Sequence, residues 1–529
     1  MTPPRRCWRP PRRWRRACCQ AEAPPAGAAD AADRMSCLIA APCSGSGKTL
    51  LSLSLAAVAR ARGETIQPFK VGPDYLDPQL LGAVAGRPCR NLDPLLCGEE
   101  WVRRSYRWHG GRAGRVLVEG VMGLFDGRGS GSEGSSAAVA ALLGLPVVLV
   151  VEASRQAGSL AALVRGFRDH GPPRVSLAGV VLNRVGSERH RLLLAEALAA
   201  IEVPLLGVLP SHPSLELPSR HLGLLTPGEL GDLGERQRIW AALAEEHLDL
   251  ARLWPLLAPP APAPERRDPI RWCLDQVPPE RAAAGAGAGS ALGQGAGGAA
   301  PPLPVAIAGD AAFHFRYPEA QELLQACGLS PMSWSPLADD PLPPDCRAVL
   351  LPGGYPELHA ARLAASRRSL GSLRAAARAG LPIVAECGGL LLLGRELEDP
   401  DGLPHPMAGL LPFRARRGPL SLGYRQALPM EDGLLVRRGE SLCGHEFHRW
   451  QLLAQPSGGD VLAEAQSLWQ LEGWGSPGRI EGWSAPTVHA TWLHLHWAGC
   501  PAIPSRLARS AASAVPLPRN AVSCNPVSG

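Results

Sequence analysis

CLIAAPCSGSGKT, Cys37 to Thr49, running straight into LLSLSLAAVARAR up to Arg62, is the stretch on which the fold turns. An apolar run of strand length, Cys37–Ala41, meets a small-residue loop, and the loop feeds an amphipathic helix expected over Thr49–Arg62. The spacing is that of a P-loop, with Pro42 in place of the first glycine. Such a loop turns backbone N–H groups toward an anion at a helix N-terminus. Ser44, Gly45, Ser46 and Gly47 form the cradle. Lys48 reaches the β/γ-phosphates, and Thr49 can hold Mg²⁺. Only two of the chain's 54 lysines and arginines are lysines, Lys48 and Lys70. Where arginine has replaced nearly every other basic residue, a retained lysine marks a place that needs a compact point charge.

Working outward, short apolar strands alternate with helices as far as about Trp254. Strands are expected at Thr65–Phe69, Arg115–Glu119, Pro146–Val151, Ala178–Leu182 and Leu205–Val208, with a helix at Gly158–Asp169. This alternation predicts a doubly wound, mostly parallel sheet. Loops at strand C-terminal ends of such a sheet carry ligand sites. Glu119, ending VLVE, is placed to help hold a nucleotide-bound Mg²⁺, and Asp126 follows in MGLFDG. KVGPDYLDP adds Lys70, Asp74, Tyr75 and Asp77 on a loop stiffened by Gly-Pro and Asp-Pro.

Composition sets the limits. The hydrophobic fraction of 46% supports ordinary cores. Most of the net charge of +6 sits in residues 1–34, where eight arginines face three acids. The basic balance is therefore no argument for nucleic-acid binding. That leader has no apolar core of a secretory signal and reads as a disordered basic extension, or as sequence ahead of a true start at Met35. No run of about 20 apolar residues offers a membrane span. The expected location is the cytoplasm, with neither nucleic acid nor membrane as a partner. The 14 cysteines show no CxxC spacing, and a disulfide framework is not expected. Residues 255–302, Pro-rich and then Gly/Ala-rich, read as a linker between domains at 35–254 and 303–500. Residues 501–529 read as a flexible tail. In the second domain, VAIAG, Ala348–Leu351 and Leu381–Ala385 are expected strands. Pro318–Ala326 and Leu363–Arg378 are expected helices.

The second domain has its own chemical motif. The strand Leu381–Ala385 ends in Glu386-Cys387-Gly388-Gly389. A sharp strand-to-helix turn of this composition would hold a thiol clear of the sheet. A free thiol, pKa about 8.5, is only partly thiolate at neutral pH, and a helix N-terminus and a histidine would raise that fraction. The Gly388 N–H, with one from Gly353 or Gly354, could form an oxyanion hole. HATWLHLHW supplies His489, His494 and His496 as candidate bases. His445 and His448 lie near Cys443 and Glu446, but their spacing is unlike a common zinc site.

The combination APCSGSGKT, KVGPDYLDP, NLD at Asn91–Asp93, VEGVMGLFDG, LNRVGS at Asn183–Ser187 and RHLGL at Arg220–Leu224 resembles the cobyrinic acid a,c-diamide synthase family. So do LPGGYPELH, AECGGL, LGYR at Leu422–Arg425, GHEFH at Gly444–His448 and the closing HLHW. The resemblance implies an ATP-dependent amidoligase domain with a P-loop and a C-terminal class I glutamine amidotransferase domain, flavodoxin-like α/β. It implies a ligase that amidates the a and c carboxylates of cobyrinic or hydrogenobyrinic acid, with ATP and L-glutamine as co-substrates and Mg²⁺ as cofactor. By position, Lys48, Thr49 and Glu119 would bind MgATP. Asp74, Tyr75, Asp77 and Asp126 would line the acceptor and phosphate site. The family's aromatic-x-His pattern selects His494 as the base for Cys387. Many class I glutaminases place Glu two residues after the base, where this chain has His496, so the group orienting His494 is left open. The substrate is a polycarboxylate that Arg425 could clamp. Two alternatives stand beside this: a nickel-sirohydrochlorin a,c-diamide synthase, and a regulatory P-loop ATPase with an inactive glutaminase-like part. The oligomeric state stays open, a homodimer included.

Overall fold

A central strand buried on both faces explains the first half of the chain. In β1 (Leu38–Ala40), Leu38 and Ala40 join one apolar cluster, while Ile39 joins another that contains the helix α1 (Lys48–Ala61). Alternate side chains thus feed two cores, as a parallel sheet with helices on both faces requires. Each fully buried Leu, Ile or Val contributes about 1.5–3 kcal/mol. The computed structural model describes residues 36–212, 215–217, 219–220, 223–224, 227–261, 267–278, 301–455, 462 and 465–517. The basic leader, the Gly/Ala-rich run and part of the Arg220–Leu224 motif lie outside them.

Around β1 stand β2 (Ile66–Val71), β3 (Arg90–Leu92), β4 (Arg115–Glu119), β5 (Val147–Glu152), β6 (Leu177–Val185) and β7 (Leu205–Pro210), in the order β3-β2-β4-β1-β5-β6-β7. Every pairing is parallel. The carboxyl ends therefore share one edge, where the P-loop, the Gly72–Leu76 loop, Asp93 and the loop after Glu119 collect. The strand Arg90–Leu92 was not among the expected ones, since three residues give no readable alternation.

The second sheet begins with β8 (Leu303–Ala308), β9 (Leu329–Trp334), β10 (Ala348–Leu351) and β11 (Ile383–Glu386). It continues through β12 (Phe413–Pro429), β13 (Leu442–Ala454), β14 (Gln466–Gly473), β15 (Ser476–Ala485) and β16 (Val488–Thr491). The order is β9-β8-β10-β11-β16-β15-β14-β12, with β13 also on β12 and the short strands Glu396–Glu398 and Pro404–Pro406 completing the sheet beyond it. Its first five strands are parallel and the remaining pairs antiparallel, except that Glu396–Glu398 runs parallel to β12. Both sheets belong to one compact unit, Met35–Gly529.

Three expectations on boundaries are corrected. The stretch expected as linker starts inside the fold: Cys37 N–H donates to Leu256 O at 2.7 Å, Val116 N–H donates to Leu257 O at 2.8 Å, and Leu257 is fully buried. Further on it forms a helix, Pro269–Asp275, capped by Asp268, whose buried Cys273 thiol donates to Ala498 O. The expected tail contains the helix Ala502–Ser513, which buries Ile503, Leu507 and Ala511. The single helix expected over Leu363–Arg378 is two, Ala360–Ala365 and Arg367–Arg378, broken where Ser366 leaves the helical region and its hydroxyl takes the Arg362 carbonyl.

Candidate active sites of the two halves

The P-loop takes its left-handed turns at Gly45 (φ 81°) and Gly47 (φ 110°). A methyl on Gly47 would lie 2.4 Å from Asn183 Nδ2, so only glycine fits there. Asn183, on β6, donates to Ser46 O at 3.0 Å and braces the loop from below. Ser44 and Gly45 are exposed at the loop's tip. Lys48 is buried, with Nζ donating to Met122 O at 2.5 Å. Burial, and then the nearby Lys70, lower its pKa. Thr49 Oγ1 donates to Glu119 Oε1 at 2.9 Å. The other oxygen, Glu119 Oε2, is buried with no hydrogen-bond partner. A hydroxyl and an unpartnered carboxylate oxygen side by side are hard donors of the kind Mg²⁺ prefers, so these residues fit the ion.

Lys70 is the hub of the same edge. Its ammonium lies 2.6 Å from Glu119, 2.5 Å from Asp77 and 3.7 Å from Asp74. Burial works against its charge, but the three carboxylates outweigh it and hold its pKa well above normal. Burial likewise pushes the Asp77 carboxyl up, yet Lys70 wins and holds it below the usual range. Asp74, half-buried and facing Asp77, is raised to about 7, first by its partial burial and then by Asp77. Its Oδ1 accepts from the N–H groups of Leu76 and Asp77, opening the helix α2 (Leu76–Ala85). Asp126 is exposed and closes its loop by accepting from Gly123 N–H at 2.8 Å.

Tyr75 departs from expectation. Instead of facing the phosphate loop, its ring leaves the Gly72–Leu76 loop for the other half. It stacks on Phe315 with centroids 5.2 Å apart and lies 4.6 Å from Tyr317 and 5.0 Å from His494. Other bonds join the same two halves. Tyr424 O–H donates to Asp93 at 3.0 Å, Gln79 donates to His314 O at 3.1 Å, and Arg90 pairs with Glu319 and Glu322. The carboxyl ends of the parallel strands of the two sheets thus meet.

At the second sheet's carboxyl edge, Cys387 sits at φ 48° and ψ −108°, a strained backbone for a residue with a Cβ. The chain is held there by Cys387 N–H donating to Thr491 O at 2.7 Å. No methyl fits at Gly388 or Gly389, where a Cβ would stand 2.8 Å from Gly354 N and 2.0 Å from Leu351 O. The helix that follows is short, Gly388–Leu393. Parallel register sets Glu386 opposite Thr491, so the chain beyond β16 delivers His494 to the nucleophile turn. His494 and His445 exchange two backbone hydrogen bonds of 2.9 Å. Burial disfavours charge on His494, but Cys387 and Glu386 outweigh it and raise it to about 10. His489, opposite Val384, is set back along the strand and buried against Trp469.

Of the two glycines proposed beside Gly388 for the oxyanion hole, Gly354 carries the N–H that lies against Gly388. Gly353 instead makes room for the His494 ring, since a methyl on it would lie 2.4 Å from His494 Cε1. Arg425 is not a free clamp: it is buried and bonded to Glu446 at 2.7 Å. His448 stacks on Trp492 at 3.9 Å, with its Nδ1 at 2.8 Å from Trp450 O. Two adjoining cavities run between the halves. One, about 380 Å³, is lined by Glu386, Phe315, Tyr317 and Tyr75. The other, about 420 Å³, shares Tyr75, Gln79 and Arg316 with it and reaches Asp74 and Asn91.

A P-loop sheet joined edge to edge with a nucleophile-turn sheet defines the class, a nucleotide-binding domain coupled to a glutamine amidotransferase domain. Residues 37–225 match the family described as CobQ/CobB/MinD/ParA nucleotide binding domain, and residues 304–501 match that described as CobB/CobQ-like glutamine amidotransferase domain. A cobyrinate a,c-diamide synthase of Gloeobacter violaceus is 43% identical over 467 residues, covering 88% of this chain and 94% of that one. A hydrogenobyrinate a,c-diamide synthase of Streptomyces coelicolor is 41% identical over 498 residues, covering 89% and 96%. The chain belongs to the cobyrinate and hydrogenobyrinate a,c-diamide synthase family.

Proposed function

We propose that the protein converts the a and c side-chain carboxylates of cobyrinic acid, or of its cobalt-free counterpart, to amides, using ATP and the side-chain nitrogen of glutamine. The observation that carries this is the shared wall: Tyr75 of the acceptor loop rests against His494 of the glutaminase site. A chain whose P-loop merely switched a partner would have no use for that contact.

The Cys387 sulfur, its proton already given up to His494, attacks the glutamine side-chain amide carbon. The N–H groups of Gly388 and Gly354 stabilise the oxyanion, each donor of this kind being worth about 10²–10³ in rate. His494 returns the proton to the leaving nitrogen, ammonia departs, and water releases glutamate from the thioester. Ammonia then travels through the adjoining cavities from Glu386 toward Asp74, kept from water that would protonate it. Across the seam, the P-loop and Lys48 hold the triphosphate, and Thr49 with Glu119 would hold Mg²⁺. The ion, when bound, screens the phosphate charge against the acceptor carboxylate. The γ-phosphoryl group moves to that carboxylate, giving ADP and an acyl phosphate. Ammonia attacks, phosphate leaves, a proton is lost, and the amide is formed. Lys70 keeps Glu119 and Asp77 compensated at this edge.

Cys387→Ala should abolish glutamate release and glutamine-dependent synthesis but keep synthesis from ammonium salts. Lys48→Ala should lose synthesis with either nitrogen source by about 10²-fold or more. Mass spectrometry scores the product as a loss of about 1 Da per carboxylate converted, which follows from replacing O–H by NH₂. Failure of ammonia to rescue a folded Cys387→Ala variant overturns the two-site reading.

A further inference from the structure

We propose that Glu386, the residue immediately before the nucleophile, is the positioning carboxylate of the glutaminase site, holding His494 through its Nδ1 and leaving Nε2 for the thiol. The proposal rests on the glutaminase reading above. His494 Nδ1 and Glu386 Oε2 are 3.8 Å apart, the histidine side chain 1% exposed and the glutamate 15%. Among the described residues, neither ring nitrogen of His494 has a hydrogen bond of normal length to any other group. A buried imidazole in that condition is costly unless charged neighbours compensate it, and Glu386 is the acidic side chain within ion-pair reach.

The position two residues after the base cannot do this work. His496 turns away: its Nδ1 accepts from Ala498 N–H at 3.3 Å, and its Nε2 lies 3.7 Å from Glu319. Glu319 is in turn held by Arg90 from the first sheet. That histidine is part of the seam between the halves, and the carboxylate beside the His494 ring stands on the strand that carries the nucleophile. Register explains how one residue can serve. Glu386 pairs with Thr491 at the last rung of β11 and β16, so its side chain leaves the sheet where the chain to His494 begins. The other groups facing the imidazole are Cys387 from the same turn, the Tyr75 ring from the acceptor loop and His445 from β13.

The carboxylate does not touch glutamine's reacting atoms. It acts through His494, by fixing the ring and by favouring the imidazolium that forms when the thiol proton is taken. Losing the orienting carboxylate of a serine triad costs about 10⁴ in kcat. A thiol is the better nucleophile and depends less on its base, so about 10² is expected here.

The test uses the full-length protein. Glu386→Gln should lower glutaminase kcat about 10²-fold with KM for glutamine unchanged, slow alkylation of Cys387 by iodoacetamide at pH 7, and move the alkaline limb of the pH–rate profile to lower pH. Ammonia-dependent synthesis should persist, and Glu386→Asp should recover part of the rate. The assignment is overturned if Glu386→Gln keeps glutaminase within twofold of wild type. It is equally overturned if the loss appears in KM with the pH profile unmoved, or if both variants lose ammonia-dependent synthesis as well, which marks a structural role. Cys387→Ala in parallel separates the two readings: without Cys387-dependent glutaminase in the wild type, the glutaminase reading falls first and takes this one with it.

Discussion

Lys70 shows what a single retained lysine does at a crowded carboxylate edge. It is buried and faces Glu119, Asp77 and Asp74. Replacing it with methionine leaves those acids without their cation, and breaking a buried pair costs about 3–5 kcal/mol. Lys70→Met should lose that much in urea unfolding, and ammonia-dependent synthesis with it. The pH dependence follows from the shifts. Asp77 is held low, so its share of stability is full above the ordinary carboxylate range and is lost as pH falls through its folded pKa. Lys70 is held high, so its share is full below the ordinary lysine range and fades only in strong alkali. Asp74 runs the other way: raised to about 7, it favours the fold in acid, and that share is lost as pH rises from about 4 through 7. In Lys70→Met the first two contributions vanish, which flattens the acid limb of a stability–pH profile. The sequence made Lys70 legible through composition, because a residue type used twice draws the eye. Glu386 and Asn183 were not legible in the same way. Each sits inside a quoted motif, but its role depends on a partner more than a hundred residues away, His494 or the P-loop, and no local spacing encodes that distance.

Elements were legible where the pattern was long or the turn chemically constrained. The strand–loop–helix at Cys37–Arg62 was readable because an anion cradle demands small residues at fixed offsets. The nucleophile turn at Glu386–Gly389 was readable for the same reason. Short or context-dependent elements were not. Arg90–Leu92 is too brief to alternate, and Pro269–Asp275 lies in a Pro-rich neighbourhood, its helix supported by the Asp268 cap and by burial of Cys273. Arg425 was misread because LGYR does not reveal that Glu446 faces it on the paired strand, at 2.7 Å. The nucleophile turn carries its own prediction. A Cβ on Gly389 would stand 2.0 Å from the backbone oxygen of Leu351, which cannot rotate away. Gly389→Ala should therefore push β10 and the turn apart, costing about 3 kcal/mol in thermal or urea unfolding and abolishing glutaminase, since the strained Cys387 backbone depends on that close approach. Gly380→Ala is the comparison: no neighbouring atom meets the added methyl, although its φ of 72° carries the ordinary left-handed penalty, about 1 kcal/mol. A larger loss at Gly389 isolates crowding from backbone strain.

At the scale of the whole molecule, a parallel sheet and the parallel part of a mixed sheet are set with their carboxyl ends together, and each places its loops there for the same topological reason. The two sites consequently share side chains. Tyr75 belongs to the acceptor loop by sequence and to the glutaminase pocket by position, packed on Phe315, Tyr317 and His494 while its neighbours Asp74 and Asp77 answer to Lys70. In the proposed reaction, a large polycarboxylate settling on the Gly72–Leu76 loop cannot shift that loop without moving the ring that abuts His494. Tyr75 also lines both adjoining cavities, so its removal opens the space proposed as the path of ammonia. Tyr75→Ala should then leave each half reaction within a few-fold of wild type, glutamine hydrolysis on one side and ammonia-dependent amidation on the other. The ratio between them should suffer. Glutamate released per amide formed should rise about 10-fold, the size of a coupling free energy near 1.4 kcal/mol, while Tyr75→Phe, which keeps the ring, stays near wild type. Counting glutamate and amide in the same reaction decides the matter, and an unchanged ratio in Tyr75→Ala means that the two sites are neighbours without being coupled through this ring.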